Sequence, residues 1–147
     1  MQVRDIMTEC MAFCMPEKTV DEVARMMVAS DCGAIPVVDP ITRQAVGIVT
    51  DRDIVCRTVA KGLDPAHVRV EEMMTMPIIA VSPDDSIEKC VEEMESAQVR
   101  RMPVVDAQGR LCGIVSQADI ARVAPPTETG HLVTDVSRRT DHASNVQ

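Results

Sequence analysis

A chain that carries one set of landmarks twice is constrained to fold as two copies of one unit, and this sequence does so. Met7-Thr8, Pro16, Met27 and Pro36-Val37-Val38-Asp39 recur as Met74-Thr75, Pro83, Met94 and Pro103-Val104-Val105-Asp106 at a constant offset of 67. Gly47-Ile48-Val49-Thr50 and Asp53-Ile54 recur as Gly113-Ile114-Val115-Ser116 and Asp119-Ile120 at an offset of 66, so a one-residue change in length lies between Asp39 and Gly47. Internal repeats are read before any other feature because they decide the architecture. Two copies are too few, and the period too long, for a solenoid. Two small units that bury a face against each other satisfy the pattern.

The local signals give the elements of each copy. Thr19-Val20-Asp21-Glu22 has the form of a capping box, and Val20, Val23, Ala24, Met27 and Val28 follow at helical spacing. Ser86 with Ile87, Cys90, Val91, Met94 and Ala97 repeats the stripe. Ala34–Val38 and Ala45–Val49 read as two apolar strands joined by a turn through Pro40-Ile41-Thr42-Arg43. In the second copy the turn shortens to Ala107-Gln108-Gly109-Arg110, where Gly109 supplies the permissive backbone. Pro36 and Pro103 cannot donate a ladder hydrogen bond, which predicts a strand start or an edge for each. Asp51–Val55 and Gln117–Ala121 begin a second helix, and a short strand is expected before each first helix, around Met11–Met15 and Ile78–Val81.

Each copy is therefore expected to be β-α-β-β-α. The fold class is α+β, two such repeats packed sheet to sheet about a pseudo-twofold axis. Neither copy, at roughly 55 residues, buries enough surface to be comfortable alone. The boundaries read from the sequence are repeat 1 over 1–61, a linker over 62–69, repeat 2 over 70–124 and a polar tail over 125–147. Gly62 and Pro65 mark the linker as a helix stop. The tail is expected to be loosely ordered, with a short helix near Thr134–Arg139.

Composition enters where it excludes functions. A net charge of −8 argues against a general nucleic-acid surface. No apolar run approaches the ~20 residues that span a bilayer, and the N-terminal Met-Gln-Val-Arg-Asp lacks the apolar stretch of a signal peptide. The expectation is a cytoplasmic protein with no nucleic acid and no membrane among its partners. With Phe13 as its one aromatic, the core must be built from Val, Ile, Ala and the eleven Met. No phosphate-loop, dinucleotide or metalloprotease motif is present, and no nucleophile–base arrangement recurs, so no catalytic residue is assigned and the chain is not expected to be an enzyme.

Six cysteines are weighed as core or reduced thiols first. Cys10 and Cys14 have a C-x3-C spacing without a nearby His, and no metal ligand set is assigned. Cys90 and Cys112 stand where the first copy has Val23 and Val46, the behaviour of small buried apolar residues.

The order hydrophobic-Pro-Val-Val-Asp, hairpin, Gly-Ile-Val-[Thr/Ser]-x-x-Asp-Ile, met twice over about residues 3–123, resembles the CBS (cystathionine-β-synthase) domain. The tandem resembles a stand-alone CBS pair, or Bateman module, of the small bacterial signal-transduction and hypoxic-response kind. That resemblance implies adenosine-containing ligands (AMP, ADP, ATP, NAD, S-adenosylmethionine or cyclic dinucleotides) in clefts between the copies, with no cofactor required. It also implies a homodimer and a separate effector protein.

The residues themselves fit such a ligand. Thr50 and Ser116 stand where a strand meets a helix N-terminus, a place that suits a phosphate. Asp53 and Asp119, one turn on, can accept the paired hydroxyls of a ribose. Ordinary N-capping by the same residues is the competing explanation. Arg100 and Arg101 precede the Met102-Pro103 strand where the first copy has Gly33 and Ala34. An Arg pair there can grip a phosphate, which would make the clefts unequal and give the second copy most of the phosphate charge. Base recognition falls to backbone and apolar groups around Ile35, Pro36, Met102 and Pro103, since Tyr and Trp are absent. Two other readings stay open: a cysteine-based redox or metal-binding stress protein, and a ligand-free dimeric scaffold.

Overall fold

The computed structural model describes residues 1–9 and 12–138. A two-residue strand β1 (Thr8–Glu9) precedes α1 (Val20–Ser30), β2 (Ala34–Val38), β3 (Ala45–Thr50) and α2 (Asp51–Ile54), which runs on as a π-helical turn over Val55–Val59. The second copy gives α3 (Ile87–Ala97), β4 (Arg101–Val105), β5 (Leu111–Ser116) and α4 (Gln117–Ala121), followed by α5 (Pro126–Val136). The fold class is the expected one: α+β, in two matching repeats.

The repeats exchange their leading segments. β2 pairs with β3 and β4 with β5, both antiparallel. The other side of β5 is taken by β1, from the first copy, with Thr8 opposite Ile114 and Glu9 opposite Gly113. Symmetrically, Thr75 of the second copy pairs with Ile48 of β3 through backbone bonds of 2.9 and 3.1 Å. The glycine of each Gly-Ile-Val strand is explained by this approach. A Cβ at Gly113 would lie 2.6 Å from the Thr8 carbonyl oxygen, and one at Gly47 would lie 2.9 Å from that of Thr75.

The cores follow the exchange. Val3 is buried with Cys90, Met94, Met102, Val104, Val115 and Ile120 of the second copy. Val70 and Met73 are buried with Val20, Val23, Ile35, Val37, Val49 and Ile54 of the first. Each leading turn is held at a helix start: the Val3 N–H donates to the Asp85 carbonyl and the Val70 N–H to that of Lys18. The segments 1–9 and 70–75 therefore pack on the copy to which they do not belong in sequence.

Several local expectations are corrected. The short strands expected around Met11–Met15 and Ile78–Val81 reduce to single parallel bridges, Cys14 to Val37 and Val81 to Val104; Cys10 and Met11 lie outside the described residues. Of the two places expected for Pro36 and Pro103 the edge is the one found: each sits mid-strand, on β2 and β4, which end their sheets, and the Cys14 and Val81 amides donate to their carbonyls at 3.0 Å. Thr19 makes no cap bond. The linker does that work instead, because the Val20 and Asp21 amides donate to the Val68 and Pro65 carbonyls. Ser86 caps α3 as expected, at 3.1 Å to the Lys89 amide. Val28 points to solvent, 84% exposed, and leaves the apolar stripe. The described part of the tail is more helical than its polarity suggested: α5 spans Pro126–Val136, starts on a proline suited to a first turn, and buries Leu132 and Val136 in the second core; Arg139, in the expected short helix, lies outside the described residues.

The exchange makes a direct prediction. Gly113→Ala should push β1 off β5 and cost about 1–3 kcal/mol, the range for forcing volume into a packed site. Hydrogen exchange at Thr8 and Glu9 should rise well before the remainder of the chain opens. Gly130→Ala, which meets open space, should do neither.

Candidate functional site

The strand-to-helix junctions of the two copies have one geometry. The Thr50 hydroxyl accepts the Asp53 amide at 3.1 Å, and Asp53 Oδ2 accepts the Thr50 amide at 2.9 Å. Ser116 and Asp119 repeat the box at 3.2 and 2.8 Å, and the Ser116 hydroxyl also donates to Asp119 Oδ2 at 2.8 Å. Such a cap is worth ~1 kcal/mol. Capping is thus what these four side chains do here. The second oxygen of each acid faces an arginine one turn on: Arg57 Nε is 3.9 Å from Asp53 Oδ1, and Arg122 Nη1 donates to Asp119 Oδ1 at 2.9 Å. The acid side chains are only 15% and 12% exposed.

The exchanged segment adds a residue that the sequence did not single out for the site. The Thr75 hydroxyl donates to Asp53 Oδ2 at 3.4 Å, so the first junction is built from both copies. Its recurrence with Thr8 at a fixed offset was the available signal, but only the pairing of Thr75 with Ile48 gives it a place.

Arg101 also crosses between copies. Its Nη1 and the Asp51 carboxylate oxygen lie 3.4 and 3.0 Å from the point where a Cβ on Gly33 would sit. Asp51 opens α2 and its amide donates to the Gly33 carbonyl at 3.0 Å. At the pseudo-equivalent position the Gln117 amide donates to the Arg100 carbonyl at 3.0 Å, while the buried Gln117 Oε1 has no partner. The arginine pair is therefore split. Arg101 reaches back to the first copy, whereas Arg100 is exposed on the second. A shallow cleft of about 340 Å³, bounded by Cys32, Gly33 and Asp51 among others, opens beside this point.

Ile35 and Met102 are fully buried in the two cores. Their side chains do not line an open cleft. Pro36 and Pro103 are buried beside them.

Among the described cysteines, the Cys14 thiol is pushed up to about 11 by burial, which Lys18 opposes, and that of Cys90 to about 11 by burial and the nearby Asp85 and Glu93. Both behave as protonated apolar groups. No cluster of three or more His, Cys, Asp or Glu suited to a metal is found among the described residues. None of the described helices is long and apolar enough to cross a membrane.

These features define a class. The family model for the CBS domain matches residues 3–57 and 70–125, and the chain belongs to that family. It is 37% identical over 141 residues, 95% of this chain and 98% of the relative, to the CBS domain-containing protein YhcV of Bacillus subtilis. Hypoxic response protein 1 of Mycobacterium tuberculosis is 39% identical over 122 residues, 83% of this chain and 84% of that one. A crystal structure of hypoxic response protein I with two coordinated zinc ions superposes with a TM-score of 0.77 over 85% of this chain and all of that one, at 38% identity. The CBS pair of MJ0100 with 5′-methylthioadenosine and S-adenosylmethionine gives 0.75 over 84% and 94%, and CBSX2 with AMP gives 0.72 over 84% and 95%, each at 27% identity.

The buried thiols set a pH dependence. A raised folded-state pKa means the protonated thiol is favoured by the fold, so this stability is complete below the unfolded value of 9.0 and is lost as pH rises to about 11. Urea midpoints should fall between pH 9 and 11, and a Cys14→Ala/Cys90→Ala variant should show a flatter profile over that window.

Proposed function

We propose that this chain is a regulatory module that binds an adenosine derivative in the clefts between its repeats and signals by altering how they pack. The observation that carries the reading is the composite junction at Thr50–Asp53, where Thr75 of the opposite copy hydrogen-bonds the acid best placed for a ribose. A ligand that displaces Thr75 or Arg57 from Asp53 acts on both copies at once. Binding shifts an equilibrium only through different affinity for two states, and a cleft shared by two interlocked halves supplies that difference. MJ0100 and CBSX2, which hold adenosine compounds, support the class of ligand.

The Thr50 and Ser116 hydroxyls would face the phosphate or its substitute, Asp53 and Asp119 the ribose, and Arg100 and Arg101 the phosphate. With Arg101 beside Gly33 and Asp51, the first cleft would share in the phosphate charge expected mainly of the second copy. The role is regulatory rather than catalytic, exercised from a homodimer on a separate effector protein.

A second reading, metal binding, is favoured by one observation: the zinc ions of hypoxic response protein I. Metal content of protein purified without chelator, with and without a thiol-blocking reagent, separates it from the first.

A thermal-shift panel of AMP, ADP, ATP, NAD and S-adenosylmethionine tests the ligand class, and no shift with any of them would overturn it. Within the class, Asp53→Asn and Asp119→Asn keep an oxygen for the cap but lose the charge. At the occupied cleft the change should weaken AMP binding by about 1.5–3 kcal/mol, the worth of hydrogen bonds to a charged group. Replacing Arg100 and Arg101 with Ala should weaken AMP while leaving adenosine nearly unchanged in calorimetric titrations. An equal loss for both ligands would assign the arginines to the strand instead.

A further inference from the structure

Past the C-terminal end of α2 lies a second cavity of about 520 Å³, bounded by the π-helical turn, the linker and the start of the second copy. Its volume falls in the range of small-molecule sites. Leu63, Val68, Met73 and Met74 give it apolar walls, and Arg57, Lys61 and His67 bring three basic side chains against two acids, Asp64 and Glu72.

The acids are already engaged. Asp64 accepts the Ala66 amide at 3.0 Å and faces His67 Nδ1 at 2.8 Å, while Glu72 accepts the Arg69 amide at 2.7 Å. The basic groups are less satisfied. Arg57 spends Nη1 on the Met73 and Met74 carbonyls at 2.9 and 3.3 Å, and the ammonium of Lys61 has no partner among the described residues. π-Helical turns are rare and concentrate at functional sites. This one carries Arg57 and leaves the buried Thr58 hydroxyl without a partner.

We propose that this cavity is a second ligand site, for a small organic anion with a short aliphatic body, and that it is coupled to the first cleft through Arg57. The anionic group pairs with Lys61 and Arg57, and the chain lies on Leu63 and the two methionines. Arg57 is shared, since its Nε also faces Asp53 at 3.9 Å. An anion that draws Arg57 away frees Asp53 Oδ1 for a ribose hydroxyl, so each ligand tightens the other, reciprocally and by the same factor. The coupling rests on the ribose role of Asp53; the cavity does not.

The test uses hexanoate, with hexylammonium as the control of opposite charge, on protein labelled at its methionine methyls. Hexanoate should shift the Met73 and Met74 resonances saturably and hexylammonium should not. Lys61→Gln should weaken hexanoate about three- to fivefold, the worth of a partly exposed ion pair. Adenosine affinity should rise about threefold in saturating hexanoate, a coupling at the low end of the usual range. Unmoved methionines, or equal binding by the Lys61→Gln variant, would overturn the site. Equal adenosine affinity with and without hexanoate would overturn the coupling. Loss of adenosine binding altogether, with hexanoate still shifting Met73, would sink the nucleotide reading and the coupling while the cavity stands.

Discussion

The structure depends on one constraint: neither sheet is complete without the leading segment of the other copy. Backbone groups of β5 pair with Thr8 and Glu9, and those of Ile48 with Thr75. Unpaired strand edges attract other chains, so the exchange covers an edge of each hairpin and at the same time ties the repeats together. It brings Val3 and Val70 into cores that would otherwise be open. Two units of marginal size gain stability by interlocking rather than by simple contact of two finished surfaces.

The functional geometry is a consequence of that interlock. The capping boxes at Thr50 and Ser116 are local, fixed by four residues each. What makes the first of them more than a cap is the Thr75 hydroxyl delivered by the exchange, together with Arg101 reaching Gly33 and Asp51. A ligand bound as proposed would therefore press on the contacts that hold the sheets together. Arg57 extends the same connection outward, touching Asp53 on one side and the Met73 and Met74 carbonyls on the other.

Much of this was legible in the residues. The repeat, the hairpins, the helices and both Thr/Ser–Asp junctions follow from periodicity and landmark spacing, because those signals are local. The exchange was not legible, since pairing a two-residue strand with its own or the opposite copy leaves the same pattern in sequence. For the same reason the sequence shows Thr19 as a cap although linker carbonyls supply the partner, and shows α5 as a polar tail with only a short helix because Leu132 and Val136 alone mark its buried side. Ile35 and Met102 were assigned to a base-binding surface by their place beside the prolines, but alternation along the strands turns them into the cores. Asp51 and Thr75 have no distinguishing local signal and acquire their place only through the opposite copy.

The central claim is that both copies build the cleft. Hydrogen exchange with and without AMP tests it most directly, amide by amide. Protection should appear together at Thr50 and Asp53 in the first copy and at Thr75 in the second. Protection confined to one copy, or no change at these amides, would contradict the account.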